Sequence, residues 1–262
     1  MEEELSRRPS AHVLWVGCCG WAAARARYCE QFRTVELQST FYQPPAVDLA
    51  ERWRREVPQE FRFSLKAWQL ITHPATSPTY RKLKTPLPEK TRLAVGGFQP
   101  TEEVWRAWEV TLAIARAVRA AVIVFQCPRS FRPTQEHARN LEAFFRGVGR
   151  CPHLLAWEPR GDWPQDLVRD LCTRLGLIHC VDPFAGQPVT RGVRYLRLHG
   201  RGGYRYRYSD AELDELRTKA MPDEGGEAYV MFNNVWMKDD AARFLALNRW
   251  GLAPVEGEHR LQ

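Results

Sequence analysis

Short apolar runs alternate along the chain with longer stretches of helical spacing. Eight runs read as strands: 12–17, 34–38, 61–66, 121–126, 154–158, 177–182, 194–199 and 228–233. The third alternates strictly, and the seventh alternates. In the seventh, Leu196 and Leu198 take one face while Tyr195, Arg197 and His199 take the other. The fourth is apolar up to its last residue, Gln126, as a parallel strand covered on both faces requires.

The intervening stretches carry helix signals. Residues 22–32 are compatible with a helix, and Leu49 and Trp53 stand at i, i+4 in a segment running to Glu56. Val104, Trp108, Leu112 and Ala115 mark one helical face, and Leu167, Leu171 and Leu175 another. Thr101 and Thr134 are placed as N-caps, Pro164 as a first helical residue, Gly176 as a stop, and Ser209 with Glu212 as a capping box. A last helix carries Ala241 and Leu245. Residues 71–90 differ: Pro74, Pro78, Pro86 and Pro88 interrupt them without periodicity, which predicts a long irregular excursion after the third strand.

Eight β–α units in 262 residues predict an α/β fold, a (β/α)8 TIM barrel, whose usual size is about 250 residues. One domain over 1–262 is expected, with 1–11 a loose tail. A doubly wound sheet is the alternative, but no Gly-x-Gly-x-x-Gly follows any strand.

Barrels place their chemistry at the C-terminal strand ends. Seven strands deliver polar groups there: Glu36 and Gln38, Ser64 and Lys66, Gln126, Glu158, Asp182, Arg197 and His199, and Asn233. The first strand ends in Cys18 and Cys19. Buried polar groups cost free energy unless paired, so this convergence points to a site. The competing explanation is internal pairing of Lys66 and Arg197 with Glu36 and Glu158, with Arg62 doing the same deeper in the barrel.

Charge sharpens the expectation. The excess of Lys and Arg gives a net charge of +7, which favours an anionic small molecule or nucleic acid as ligand. Seven cysteines without a Cys-x-x-Cys pair argue against a compact zinc or iron–sulfur motif. The N-terminal residues are charged and no apolar run reaches the ~18 residues of a membrane span, so no membrane partner and a cytoplasmic location are expected.

Certain motifs occur in a recognisable order: Gly17-Cys-Cys-Gly-Trp21, Val35-Glu-Leu-Gln-Ser-Thr-Phe-Tyr42, Phe61-Arg-Phe-Ser-Leu-Lys66 with Ile71-Thr-His73, Phe125-Gln-Cys-Pro128, Glu158-Pro-Arg160 with Trp163, Leu196-Arg-Leu-His-Gly200 and Phe232-Asn-Asn234. Together they resemble the DUF72 (YecE-like) family of TIM-barrel proteins. The resemblance implies that Glu36, Lys66, His73, Gln126, Glu158, Arg160, Arg197, His199 and Asn233 line the site. This chain departs from the family pattern at Cys18-Cys19, usually Thr-Ser, at Gly161, usually His, and after Asn234, where an acidic residue usually follows.

The expected function is a hydrolase acting on a phosphate-bearing substrate, a nucleotide or nucleic acid. His199, Glu158, Glu36 and Lys66 are its catalytic candidates. His73, Gln126, Arg160, Arg197, Tyr204 and Asn233 are its binding candidates. The cofactor is open; a divalent metal, if used, would take Glu36, Glu158, Asp182 and His199. The alternatives are a nucleotide- or RNA-binding barrel without catalysis, and a metal-free acid–base enzyme on a small anionic metabolite, in which a desolvated Lys66 acts as base or Schiff-base nucleophile. The Tyr- and Arg-rich loop 201–208 reads as a lid over the mouth or as stacking platforms for bases, and Trp68 as a further platform.

Overall fold

A computed structural model of the chain describes residues 12–222 and 226–247. The assignment of 1–11 as a tail lies outside the described residues. Eight parallel strands close into a barrel in sequence order: β1 His12–Cys18, β2 Thr34–Leu37, β3 Arg62–Lys66, β4 Ala120–Gln126, β5 Leu154–Glu158, β6 Ile178–Val181, β7 Arg194–Leu198 and β8 Gly226–Phe232. The seam pairs all seven residues of β1 with β8, from His12↔Gly226 to Cys18↔Phe232. On its other side β1 meets β2 only at Gly17↔Thr34 and Cys18↔Val35. Gly17 permits that approach, because a Cβ there would lie 2.2 Å from the Thr34 carbonyl oxygen.

Helices surround the barrel at Val47–Arg55, Glu102–Val118, Gln135–Val148, Gln165–Leu175, Asp210–Ala220 and Met237–Leu247. Their starts follow the capping signals. Thr101 accepts from the Val104 amide, Thr134 from the His137 amide, and Ser209 and Glu212 form a complete capping box. Gly176 ends its helix with φ 65°, a left-handed turn that costs glycine nothing.

Alternation along the strands separates two apolar layers. Leu65, Ile123, Phe125, Trp157, Leu196, Leu198 and Phe232 face outward to the helices, and Phe125 packs with Trp108, Phe144 and Phe145. Each such side chain contributes about 1.5–3 kcal/mol by leaving water. Val122, Val124, Ala156, Ile178, Cys180, Tyr195, Tyr229 and Met231 fill the interior. At the N-terminal end Arg62 lies over the Trp15 ring and bonds Glu227 at 3.3 Å, a partly exposed pair away from Glu36 and Glu158.

Several boundaries differ from expectation. The first helix narrows to Arg25–Cys29. Pro164 stands at the N-cap, one residue before the helix. β6 stops at Val181 because Asp182 turns away, its carboxylate accepting from the Phe184 amide. No helix occupies residues 182–193, so this crossover is a loop. The excursion after β3 is less irregular than its prolines suggest. It contains helical turns at Gln69–Thr72, Pro78–Lys82 and Glu89–Leu93, anchored by buried Leu70, Ile71, Val95 and Phe98. Among the described residues no helix is long and apolar enough to cross a membrane.

Candidate active site

The inward-pointing Arg197, flanked on β7 by the outward Leu196 and Leu198, sits at the centre of the C-terminal mouth. Its Nε and Nη2 each donate to the Glu36 carboxylate at 3.0 Å, and Nη1 donates to Glu158 Oε2. All three side chains are buried. One guanidinium thus serves two carboxylates, one of them in the bidentate geometry that makes such pairs strong. Tyr195, two residues earlier on β7, donates to Glu36 Oε2 at 2.9 Å. Its only hydroxyl proton being committed, Ser64 donates to it at 2.6 Å. Gln38 closes the other side of Glu36. Glu36 therefore belongs to the barrel's internal scaffold rather than to an open surface.

Glu158 faces both ways. Its Oε2 meets Arg197, while Oε1 accepts from His199 Nε2 at 3.1 Å and from Gln126 Nε2 at 3.0 Å. Asn233 Nδ2 lies 3.0 Å from His199 Nδ1. A neutral imidazole in this setting carries its proton on Nε2, donated to Glu158, and accepts from the Asn233 amide at Nδ1. The Asp182 carboxylate holds the His199 backbone amide at 2.9 Å. Three strand ends thus fix one imidazole.

Lys66 lies behind this group. Its Nζ donates to Gln126 Oε1 at 2.7 Å and sits 3.8 Å above the Phe41 ring. It pairs with an amide and not with a carboxylate. Burial, joined by the Arg197 charge, lowers Lys66 to about 7 against the pull of Glu36 and Glu158. For Glu158 burial works upward, but the Arg197 charge and the His199 hydrogen bond, joined by the Arg160 charge, outweigh it and hold the carboxyl well below its usual range.

An open pocket of about 360 Å³ lies against this cluster, lined by Arg129, Glu158, Arg160, Cys180, Asp182 and His199 among others. The Arg160 guanidinium stands 3.5 Å from both Glu158 Oε1 and His199 Nε2 and stays about one-third exposed. The next residue, Gly161, lets this loop close on its neighbour, since a Cβ there would come within 2.7 Å of the Phe131 carbonyl oxygen.

Not every expected residue joins the site. His73 is buried beside the Phe41 ring, 2.8 Å from the Thr72 hydroxyl, and burial lowers it to about 3. It neighbours Lys66 and does not line the pocket. Tyr204 is 60% exposed on the loop after β7, outside the pocket. Other residues of that loop are tied down. Tyr208 is buried and its hydroxyl accepts from the Gly200 amide at 2.9 Å, while Tyr206 and Arg201 bond Glu212. Trp68 packs partly against the core. Cys18 and Cys19 are buried; burial pushes Cys18 up to about 12, and burial with the Glu36 charge pushes Cys19 well above its ordinary value. Neither has the accessible thiolate a nucleophile needs.

The residues named for a divalent metal do not fit one. Among the described residues no three His, Cys, Asp or Glu side chains form a metal-holding group. Arg197 already occupies the space between Glu36 and Glu158, and Asp182 accepts from two backbone amides.

Sequence reasoning missed Phe41 beneath Lys66 and Arg129 in the pocket wall. Both lie beyond strand ends, where alternation carries no information. Tyr195 and Cys180 follow the inward alternation of their strands, but nothing in their spacing marks them as neighbours of the carboxylates.

The sequence profile described as "Protein of unknown function DUF72" matches residues 15–250. The UPF0759 protein YunF of Bacillus subtilis is 24% identical over 267 residues, covering 85% of this chain and 89% of that protein. A DUF72 family protein of Enterococcus faecalis shares the barrel with a TM-score of 0.68 at 17% identity, over 90% of this chain and 97% of that one. One from Thermotoga maritima gives 0.64 at 21% identity, over 90% and 99%. The profile spans the eight-stranded barrel from β1 to β8, and the chain belongs to the DUF72 family.

Proposed function

We propose that this barrel is an enzyme in which His199 performs acid–base chemistry on a small anionic substrate held by Arg160 and Arg129, with phosphate esters the first substrate class. The observation that carries the reading is the placement of His199. It is partly open to the pocket, and its two ring nitrogens are engaged by a buried carboxylate and an amide. A general base needs a fixed orientation and a partner that stabilises its protonated form, and Glu158 supplies the second. Arg160, adjacent to His199 and partly exposed, offers the fork geometry that grips phosphate. Lys66 and Arg197 are committed within the cluster, so anion binding falls to the pocket arginines.

In the hydrolytic form of this reading, the attacking water displaces the Asn233 amide from Nδ1, His199 takes the water's proton there as its oxygen bonds phosphorus, and the imidazolium held by Glu158 returns that proton to the departing alkoxide as the ester P–O bond breaks. The test is a turnover panel of phosphomonoesters and phosphodiesters, with and without Mg²⁺ or Mn²⁺, run beside His199→Ala. Turnover that disappears in the variant supports the reading. Turnover indifferent to His199 overturns it.

The lowered pKa of Lys66 favours a second reading. Burial and the Arg197 charge favour the neutral amine of Lys66, the form a Schiff-base nucleophile needs. The amine adds to a substrate carbonyl and water leaves. Borohydride trapping of a carbonyl substrate on Lys66 would establish it, and absence of any adduct would dismiss it.

A further inference from the structure

The loops that follow β7 and β8 are joined beside His199. The Val235 amide donates to the Tyr204 carbonyl at 2.9 Å, and Asn234 Nδ2 donates to the Tyr206 carbonyl at 2.7 Å. Those two bonds make one platform of the two loops. Gly200, at the root of the first loop, lines the pocket, and Asn233, at the root of the second, touches His199. The Tyr208 hydroxyl accepts from the Gly200 amide, and Arg201 and Tyr206 bond Glu212, so the first loop is held in shape from within.

This platform turns aromatic and apolar side chains to solvent. Tyr204 is 60% exposed, Val235 54% and Trp236 41%. The Arg207 guanidinium lies over the Trp236 ring at 5.0 Å. Arg205 and Arg207 are both exposed, and among the described residues no carboxylate pairs with either. Exposed aromatic faces beside uncompensated guanidinium groups match bases joined by phosphates. The pocket, at about 360 Å³, is near the lower end of small-ligand sites, so a longer ligand must continue outside it.

We infer that the surface of Tyr204, Val235 and Trp236, flanked by Arg205 and Arg207, binds single-stranded nucleic acid running out of the His199 pocket. Bases stack on Tyr204 and, as Arg207 swings from over the ring to a phosphate, on Trp236, and Arg205 neutralises a second phosphate. A duplex is disfavoured because its base faces are already covered. The inference rests on the proposed function only in taking the pocket as the reacting end.

The test is fluorescence anisotropy with a short labelled single-stranded oligonucleotide of mixed sequence, with the same sequence as duplex for comparison. The single strand should bind more tightly than the duplex. Trp236→Ala should weaken binding roughly 5- to 150-fold, the worth of one stacked base, while Trp236→Phe should retain most of it. Tyr204→Ala, on an exposed loop, gives an independent reading if Trp236→Ala fails to fold. Arg205→Ala with Arg207→Ala should flatten the dependence of log affinity on log salt by about 0.7 for every phosphate no longer neutralised. No binding at low salt overturns the inference, and so does equal binding of the duplex or indifference to both aromatic variants. Oligonucleotide binding without His199-dependent turnover leaves this inference standing and removes the proposed function. Turnover of small phosphate esters without oligonucleotide binding does the reverse.

Discussion

Arg197 and Glu36 form a bidentate pair in the interior of the barrel, with Nε and Nη2 each 3.0 Å from a carboxylate oxygen. The same guanidinium reaches Glu158, which in turn holds His199. The pair therefore links the packed interior to the pocket. It also defines which charges are available to a ligand: Arg197 is not, and Arg160 is.

Removing that guanidinium should be costly. Arg197→Met leaves Glu36 and Glu158 buried without their shared cation, a change expected to cost about 3–5 kcal/mol. Arg197→Lys keeps the charge but cannot reproduce the bidentate geometry and should also destabilise. Urea unfolding monitored by tryptophan fluorescence measures both.

Tyr195→Phe deletes the hydroxyl that donates to Glu36 and accepts from Ser64. The expected loss is about 1–3 kcal/mol, because a buried carboxylate oxygen is deprived of a donor. Equilibrium unfolding of the variant against the parent protein checks it. A change within error would mean that Glu36 is satisfied without Tyr195.

Lys66 gives a pH signature. Its pKa falls from an ordinary 10.5 to about 7 in the folded chain. Between those values the unfolded chain holds a proton that the folded chain has released, so this group's contribution to stability rises with pH across that window. Below it the burial penalty is present in full. Lys66→Met should be more stable than the parent near neutral pH, and the difference should shrink as pH rises. Paired unfolding curves at several pH values read the sign directly.

The barrel and its inward faces were legible because strand alternation is a local property. Arg197 between Leu196 and Leu198, and Glu158 after Trp157, point inward for the same reason their neighbours pack outward. The pairing pattern was not legible. Lys66 bonds Gln126 rather than a carboxylate, and Asp182 serves backbone amides, because loop geometry and the closure of the barrel decide those partners. His73 and Tyr204 lie on the segments after β3 and β7, where spacing says nothing of direction, and the pocket excludes both.

Asn233 is a positioning residue for His199. With the amide donating to Nδ1, the neutral imidazole keeps its proton on Nε2. Asn233→Ala removes that restraint, and ¹⁵N chemical shifts of the ring should move from the single Nε2–H tautomer toward a mixture. An unchanged tautomer would assign its control to Glu158 alone.

The proposed chemistry requires that His199 and Arg160 share a pocket that receives an anion. The most direct measurement is an NMR titration of the His199 ring with inorganic phosphate, in the parent protein and in Arg160→Ala. The expected result is a saturable shift of the His199 signals in the parent that is strongly weakened in the variant. A His199 signal that phosphate does not move, or moves equally without Arg160, would contradict it.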